Sequence, residues 1–197
     1  MQFIDLSAQQ ERIKDIFIFG CTTCLRYSDV FLLTNKNFEQ NNTDWYLKIK
    51  SKKTKTFSLI KLPSYAVSIY QKYQSKNPKT SLFGTISLFN FNKNLKQIGE
   101  LAGFTQTVEV SREKQGKSHI LKTDKKNPQN RFCDKMSSHM MRRTAITTLL
   151  ILGMPEHLVR KISGHSSASN SFNRYVHYAQ SYMDKEIEKV HSKLELY

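Results

Sequence analysis

Cysteine, long apolar runs and acidic residues are all scarce in this chain of 197 residues. It has three cysteines, an odd number, and no basic segment followed by an apolar core at its N-terminus, which argues against an exported protein built on disulfides. The longest apolar run covers residues 149–152, far short of the ~20 residues that cross a membrane. The sequence therefore predicts a cytoplasmic, single-domain globular protein with no membrane partner.

The shortage of acidic residues leaves a large positive charge. Asp and Glu number 16 against 31 Lys and Arg, a net charge of +15, and the sequence pI is about 9.7. Such an excess indicates a polyanionic partner, because each neutralised phosphate of a nucleic acid releases condensed counterions. Lysines cluster at residues 50–55 and 122–126. A basic protein without a nucleic-acid role is the alternative. An anionic membrane is a weaker one, because neither cluster follows an amphipathic helical pattern.

Cys21 and Cys24 have the spacing of a metal-binding or redox pair. A zinc site needs a second pair of ligands, whereas Cys133 stands alone, and a thioredoxin-like pair follows a strand rather than an amphipathic helix. We interpret both thiols as small, largely buried side chains. The sequence also has no Asp and Glu cluster suited to two metal ions, so it predicts neither a metal nor a cofactor.

Apolar periodicity predicts a mostly helical chain with one pair of strands. A capping box at residues 7–10 opens a helix that ends near Gly20, and a short helix covers residues 27–33. Two strands at 44–50 and 55–62 are joined by a basic turn. Further helices are predicted at residues 63–77, 89–103, 138–153, 155–162 and 182–196. The polar segment 106–130 is expected to hold a ragged strand at 107–110 and then a mobile basic loop.

Short motifs along the chain carry candidate chemistry. In chain order they are residues 23–29 with Arg26, 138–144 with His139 and Arg142, 163–165 with His165, and 172–175 with Tyr175. His139 and Arg142 share a face in the first turn of a predicted helix, where free N–H groups and the helix dipole favour a phosphate. Arg143 points about 100° away at helical pitch. The ordered set resembles the tyrosine recombinase, or phage-type integrase, family.

This resemblance implies a role for each residue in DNA strand transfer. Arg26 and Arg142 would clamp one phosphate, and His165 would hydrogen-bond a non-bridging oxygen of it. Tyr175 would be the nucleophile, with His139 assisting its proton transfer, and Lys53 in the hairpin turn would protonate the leaving 5′ oxygen. The spacing from His165 to Tyr175 is ten residues, one more than is usual in the family, and Tyr178 is the alternative nucleophile.

Two neighbours of Arg26 belong to the same comparison. Asp29 is expected to brace Arg26 by charge pairing. Cys24 stands where the family usually has glycine. Because a cysteine tolerates a positive φ poorly, we expect the backbone to differ from the family at this position.

The resemblance also implies an α+β fold, mostly helical, with a small antiparallel sheet. Residues 1–180 would form the catalytic domain and residues 181–197 a C-terminal helix for docking on a neighbouring protomer, with the family's N-terminal core-binding domain absent. Double-stranded DNA is the expected partner, bound by a monomer that becomes a tetramer on paired sites. Further DNA contacts are expected from basic side chains: Lys50, Lys52, Lys55, Arg143, Lys125 and Lys126. The alternatives are DNA relaxation by a type IB topoisomerase and DNA binding without catalysis.

Overall fold

A computed structural model of the chain describes residues 5–53, 55–77, 79–109, 111–114, 117–120 and 130–194. The helices are α1 (Ala8–Thr23), α2 (Tyr27–Val30), α3 (Ser64–Tyr73), α4 (Leu88–Leu101), α5 (Phe132–Lys135), α6 (Ser138–Ile151), α7 (Glu156–Ser163) and α8 (Asn170–Leu194). The strands are β1 (Phe38–Asn41), β2 (Asp44–Lys50), β3 (Phe57–Leu62), β4 (Ser111–Lys114) and β5 (Lys117–Ile120). The predicted α+β class, mostly helical with a small antiparallel sheet, is confirmed.

The chain divides into two compact units. The first contains Met1–Asp15 and Ile86–Ser138, and the second contains Ile16–Thr85 and His139–Tyr197. In the first unit the Ser87 hydroxyl accepts a hydrogen bond from the Asn90 amide and caps α4, whose buried face packs against α5. Arg131 pairs with both Glu100 and Asp134, so it ties the start of α5 to the end of α4.

The second unit is built on a three-stranded antiparallel sheet in the order β1-β2-β3. Leu47 of β2 faces Ile60 of β3, and alternate residues of β3 are buried and exposed along the strand. This alternation gives the sheet one inner and one outer face. The Ser58 hydroxyl on the inner face donates to the carbonyls of Lys161 and Ile162 in α7, at 3.3 and 3.1 Å. The sheet and α7 are thereby fixed to each other.

The end of α1 differs from the prediction. The helix runs to Thr23 rather than ending near Gly20, because Gly20 lies where α6 comes close. A Cβ added at Gly20 would lie only 2.6 Å from the Met141 Sδ, so glycine is needed here for packing and not for a turn. The helix instead terminates before Cys24, which has a φ of +58°. Cys24 itself takes the left-handed conformation, so its Cβ does not prevent a positive φ at this position.

Four further element predictions need correction. Helix α3 ends at Tyr73 rather than near residue 77. The short helix α2 ends at Val30 and not at Leu33. In the polar segment, Thr107 forms only an isolated bridge with Arg131, and the strands are β4 and β5, which pair as a hairpin. The last helix begins at Asn170 rather than Tyr182, since the buried residues Phe172, Tyr175 and Ala179 continue one helical stripe upstream. The predicted boundary between residues 180 and 181 therefore lies inside α8. In the described part of the chain, no helix combines the length and apolarity needed to span a membrane.

Candidate active site

The Arg142 guanidinium lies at the centre of the site and is almost completely buried, with 5% of the residue exposed. Its Nη1 donates to the Cys24 carbonyl at 2.8 Å and its Nη2 to the Ser163 carbonyl at 2.5 Å. Both acceptors are neutral, and among the described residues no carboxylate lies within 4.0 Å of this guanidinium. Burial, and then the charge of Arg26, lower the pKa of Arg142 to about 10. Within the described part of the chain, Arg142 is therefore a buried cation with no carboxylate in contact, and the charge of Asp29 acts on it only from a greater distance.

His165 lies beside Arg142, with both ring nitrogens 3.3 Å from Nη2. Its Nδ1 is 2.8 Å from the Ser163 hydroxyl, and that hydroxyl donates its single proton to the Val159 carbonyl at 2.7 Å. Nδ1 must then carry the proton, which leaves a lone pair on Nε2 of the neutral ring. Burial, followed by the charges of Arg142, Arg26 and Arg160, lowers the pKa of His165 to about 4. At neutral pH the free protein has an uncharged His165 with Nε2 as an acceptor.

Arg26 is connected to the hairpin between β2 and β3 rather than directly to Asp29. Its Nη1 donates to the Ser51 hydroxyl at 3.3 Å, and that hydroxyl donates to Asp29 Oδ2 at 3.2 Å. The second Asp29 oxygen, Oδ1, accepts the backbone N–H of Lys52 at 3.1 Å. The described contacts thus contain no ion pair between Arg26 and Asp29. Instead, the buried Asp29 carboxylate anchors the hairpin, and Ser51 links it to Arg26.

Tyr175 extends from the second turn of α8 into an apolar cluster, with 8% of the residue exposed. Its ring centroid lies 6.1 Å from that of His165 and 6.0 Å from that of Phe172. It is also close enough to Arg142 for its charged form to raise the pKa of that arginine. Tyr178, one turn later, is 56% exposed and its ring faces His177. Of the two candidate nucleophiles, the fold brings Tyr175 to the arginine and histidine.

The other predicted residues lie around this centre. His139 lies in the first turn of α6 and is exposed as a whole residue. Partial removal of its ring from water, then the charges of Arg143, Arg142 and Arg26, lower its pKa. Lys53 is exposed in the turn after β2, as is Lys52. The remaining DNA-binding candidates in the described ranges are also exposed: Lys50, whose Nζ lies 5.1 Å from the Phe57 ring, Lys55 and Arg143. Lys125 and Lys126 lie outside the described residues.

The cysteines face the protein interior. Burial is the main cause that raises the pKa of both Cys21 and Cys24 to about 12, so neither thiol is readily ionised. Cys24 contributes its backbone carbonyl to Arg142, and its side chain packs in the same cluster as Tyr175. In the described ranges no group of three or more His, Cys, Asp and Glu residues could hold a metal ion.

The roles of two serines in the site were not predicted from the sequence. Ser51 joins Arg26 to Asp29, and Ser163 contacts both Arg142 and His165. Serine is common on protein surfaces, and nothing in the spacing of these two predicts burial or a shared partner. The one available signal was position, because Ser51 precedes the lysine run and Ser163 precedes the Gly-His pair.

A family model described as the phage integrase family matches residues 1–181. The chain belongs to the phage integrase family. No curated protein sequence matches it significantly. Among solved structures, this phage integrase family member is similar to the XerH site-specific recombinase in a post-cleavage complex with palindromic difH substrate, with a TM-score of 0.60, 18% identity, and coverage of 93% of this chain and 47% of XerH.

Two further structures are similar to this member of the phage integrase family. XerA recombinase has a TM-score of 0.58 and 16% identity, over 94% of this chain and 64% of XerA. The Tn1549 transposon integrase, in complex with circular intermediate DNA, has a TM-score of 0.51 and 16% identity, over 88% of this chain and 56% of that protein. The chain thus spans less than two thirds of the length of each, and about half that of XerH. At these identities the likeness establishes the fold.

Proposed function

We propose that this chain is the catalytic domain of a site-specific DNA recombinase that cleaves and rejoins strands through a 3′-phosphotyrosyl intermediate. The observation that carries the proposal is Arg142, a buried guanidinium that has only neutral acceptors and lies beside His165 and Tyr175. A buried cation is stable when an anion binds next to it. A phosphate at this position would meet two cations, an imidazole and a phenol together.

The phosphate would be held by groups that already face one another. Arg142 keeps N–H groups beyond those given to Cys24 and Ser163, and Arg26 lies near enough for its charge to depress the pKa of Arg142. A bound phosphate would offset the positive charges that lower the pKa of His165, so the ring could gain a proton on Nε2 and donate it to a non-bridging oxygen. Donors arranged in advance around the developing charge supply the main stabilisation of a phosphoryl transition state.

The reaction needs a nucleophile, a group that takes up its proton and an acid. The Tyr175 oxygen would bond to phosphorus as the bond from phosphorus to the 5′ oxygen breaks, with His139 assisting removal of the phenolic proton. Lys53 would give its proton to the departing 5′ oxygen. Attack by a 5′-hydroxyl of a partner strand would reverse these steps and release Tyr175. The bond energy is conserved in the protein–DNA link, so the scheme uses no cofactor.

Recognition of DNA is the second part of the proposal. XerH and the Tn1549 integrase are bound to DNA in their structures, and the charge of +15 on this chain suits the same partner. The exposed side chains of Lys50, Lys52, Lys55 and Arg143 would contact phosphates on either side of the scissile one. Lys125 and Lys126 stay predicted contacts. We propose the cytoplasm as the compartment in which it acts on DNA.

Assembly on DNA is the third part. Beyond residue 181, α8 carries an exposed apolar stripe of Met183, Ile187 and Val190, which are 41%, 49% and 56% exposed. We propose a monomer in solution and a tetramer on paired sites, with this stripe docked on a neighbouring protomer. Sedimentation of the wild type and Ile187→Glu on DNA carrying paired sites tests this proposal. Tetramers formed equally well by both proteins would contradict it.

Covalent trapping tests the reaction. Nicked duplexes with a randomised sequence are incubated with the protein in EDTA and separated on a denaturing gel, and the DNA in any adduct is sequenced to identify a preferred site. We expect an adduct with the wild type, none with Tyr175→Phe, and undiminished adduct with the matched control Tyr178→Phe. DNA binding by Tyr175→Phe should equal that of the wild type, because the hydroxyl group acts only in the chemical step.

The same experiment separates the alternative functions. An adduct that survives Tyr175→Phe but not Tyr178→Phe would move the nucleophile one turn along α8. Adducts of the wild type spread over all sequences, together with relaxation of supercoiled plasmid, would favour a topoisomerase. Binding without any adduct on every duplex would favour a protein that binds DNA and does not cleave it.

A further inference from the structure

Arg160, in the last turn of α7, makes an unusual number of contacts for a residue without a predicted role. Its Nε donates to Glu156 Oε1 at 2.7 Å, its Nη1 to the Ser166 carbonyl at 2.9 Å, and its Nη2 to Asn173 Oδ1 at 2.8 Å. The guanidinium carbon lies 4.1 Å from the centre of the Phe172 ring. Only 11% of the Arg160 side chain is exposed. One planar group therefore joins α7, the turn that follows it and the first turn of α8.

The partners of Arg160 on α8 lie directly before the proposed nucleophile. Phe172 is completely buried, and its ring centroid lies 5.2 Å from His165 and 6.0 Å from Tyr175. Asn173 is on the same turn, and Tyr175 is on the next. The turn between the helices is fixed at the same point, because the Ser166 carbonyl also accepts the Ser169 amide at 3.2 Å. Any displacement of this first turn would move the Tyr175 hydroxyl.

We propose that Arg160 is a positioning residue that holds the first turn of α8 and so sets Tyr175 against His165 and Arg142. The inference rests on the proposed phosphotyrosyl chemistry. Arg160 does not act on DNA in this scheme. The N–H groups of its guanidinium donate to three protein acceptors, and one face of the guanidinium is covered by Phe172. It acts through the geometry of Tyr175.

Arginine is required for this arrangement. The guanidinium donates in one plane to acceptors on different elements while its face packs on an aromatic ring. A lysine at this position keeps the positive charge but offers a single ammonium, which cannot reach the Ser166 carbonyl and Asn173 and also cover Phe172. Arg160→Lys therefore separates the geometry of the fork from the charge.

The main experiment is single-turnover adduct formation on a nicked duplex selected by covalent trapping. We expect Arg160→Lys to form the Tyr175 adduct on the order of 10²-fold more slowly, because a misplacement of about 1 Å has that cost in an oriented reaction. The final amount of adduct and the affinity for DNA should match the wild type. A slower rate at full amplitude is the signature of a displaced nucleophile, whereas a damaged fold lowers the active fraction.

Two further variants sharpen the test. Glu156→Gln removes the ion pair within α7 but leaves both links to the turn and α8, so it should react within about twofold of the wild type. Asn173→Ala removes one link on an exposed side chain. If Arg160 and Asn173 act through the same contact, the double variant Arg160→Lys/Asn173→Ala is no slower than Arg160→Lys alone. A double variant slowed by the product of the two single effects would overturn the inference.

Hydrogen exchange gives a readout that does not depend on catalysis. Amides of residues 166–175 should exchange faster in Arg160→Lys than in the wild type or Glu156→Gln, while those of α6 stay unchanged. The inference is overturned if Arg160→Lys reacts at the wild-type rate, or if its amplitude falls with its rate constant unchanged. Failure of the wild type to form an adduct would instead overturn the proposed function, and the inference with it.

Discussion

At the residue scale, the site depends on charges that the protein brings together before any substrate is present. Arg142 is buried against two carbonyls, and burial of His165 itself, followed by the charges of Arg142, Arg26 and Arg160, lowers the pKa of that histidine to about 4. The free site is therefore a poor environment for one more positive charge and a favourable one for a negative charge. The same arrangement makes the stability of the fold depend on pH.

We expect His165 to destabilise the protein in mild acid. Its pKa is about 4 in the folded protein against an ordinary value of 6.5, so between these values the unfolded chain binds more protons. The free energy of unfolding contributed by this group is complete above pH 6.5 and is lost as the pH falls toward 4. The urea concentration at the unfolding midpoint should decrease more between pH 7.5 and pH 4.5 for the wild type than for His165→Gln. His191→Gln, an exposed control on α8, should follow the wild type, and equal losses in all three proteins would contradict the prediction.

Ser51 provides a second prediction, because it connects Arg26 to the carboxylate that anchors the lysine hairpin. We expect Ser51→Ala to slow adduct formation on the order of 10-fold, as one buried hydrogen-bond link is lost. If the loss acts through Lys53, a substrate with sulfur in place of the bridging 5′ oxygen should restore the rate, since a thiolate leaves without protonation.

The sulfur substrate is measured with two reference variants. The sulfur substrate should restore the rate of adduct formation in Lys53→Met. It should not do so in Arg142→Lys, because the proposed phosphate clamp is needed whichever atom leaves. A Ser51→Ala protein that stays slow on the sulfur substrate would show that Ser51 acts through Arg26 and not through the hairpin.

At the scale of elements, local patterns predicted some helices closely, whereas α5 was missed and the end of α3 and the start of α8 were misplaced. Strand β2 and helices α6 and α7 lie within about two residues of their predicted bounds, since periodicity and capping are local properties. Strand β1 was missed, because residues 38–41 have one apolar residue and no alternation; pairing with β2 makes them a strand. The predicted end of α1 near Gly20 was wrong because this glycine makes room for the neighbouring helix α6 and does not form a turn.

Gly20 gives a prediction at this scale. Alanine in a helix interior is favoured over glycine by about 1 kcal/mol. Here its Cβ would lie 2.6 Å from the Met141 Sδ and 3.0 Å from the Met141 Cβ, which cannot move without the backbone of α6, and Met141 is fully buried. We expect Gly20→Ala to lower the free energy of unfolding by about 1–2 kcal/mol through overpacking. In a Met141→Ala background, chemical denaturation should show that Gly20→Ala leaves the free energy of unfolding unchanged or raises it. A stabilising effect in the wild-type background would contradict the close packing of α1 and α6.

At the scale of the whole molecule, the net charge of +15 would govern binding to DNA, the proposed partner. For sequence-independent binding to a duplex, the logarithm of the affinity should fall linearly as the logarithm of the salt concentration rises. Lys52→Ala removes an exposed charge of the hairpin and should reduce that slope by about 0.9 if it contacts one phosphate. Lys193→Ala, in the last turn of α8, is the control and should leave the slope unchanged. Equal slopes for wild type and Lys52→Ala would place the hairpin away from the DNA backbone.

The class of fold, the expectation of a polyanionic partner and the order of the candidate motifs could all be predicted from the sequence alone. Composition, helical periodicity and short spacings are all local, and each could be read without knowing what the residues touch. The tertiary structure alone decided which groups meet. Arg142 binds carbonyls 118 and 21 residues away, Asp29 anchors the hairpin through Ser51, and Arg160 holds the turn before Tyr175. The contacts of Arg142 and Asp29 join segments far apart in the sequence, and they exist because packing of the helices and the sheet brings those segments together.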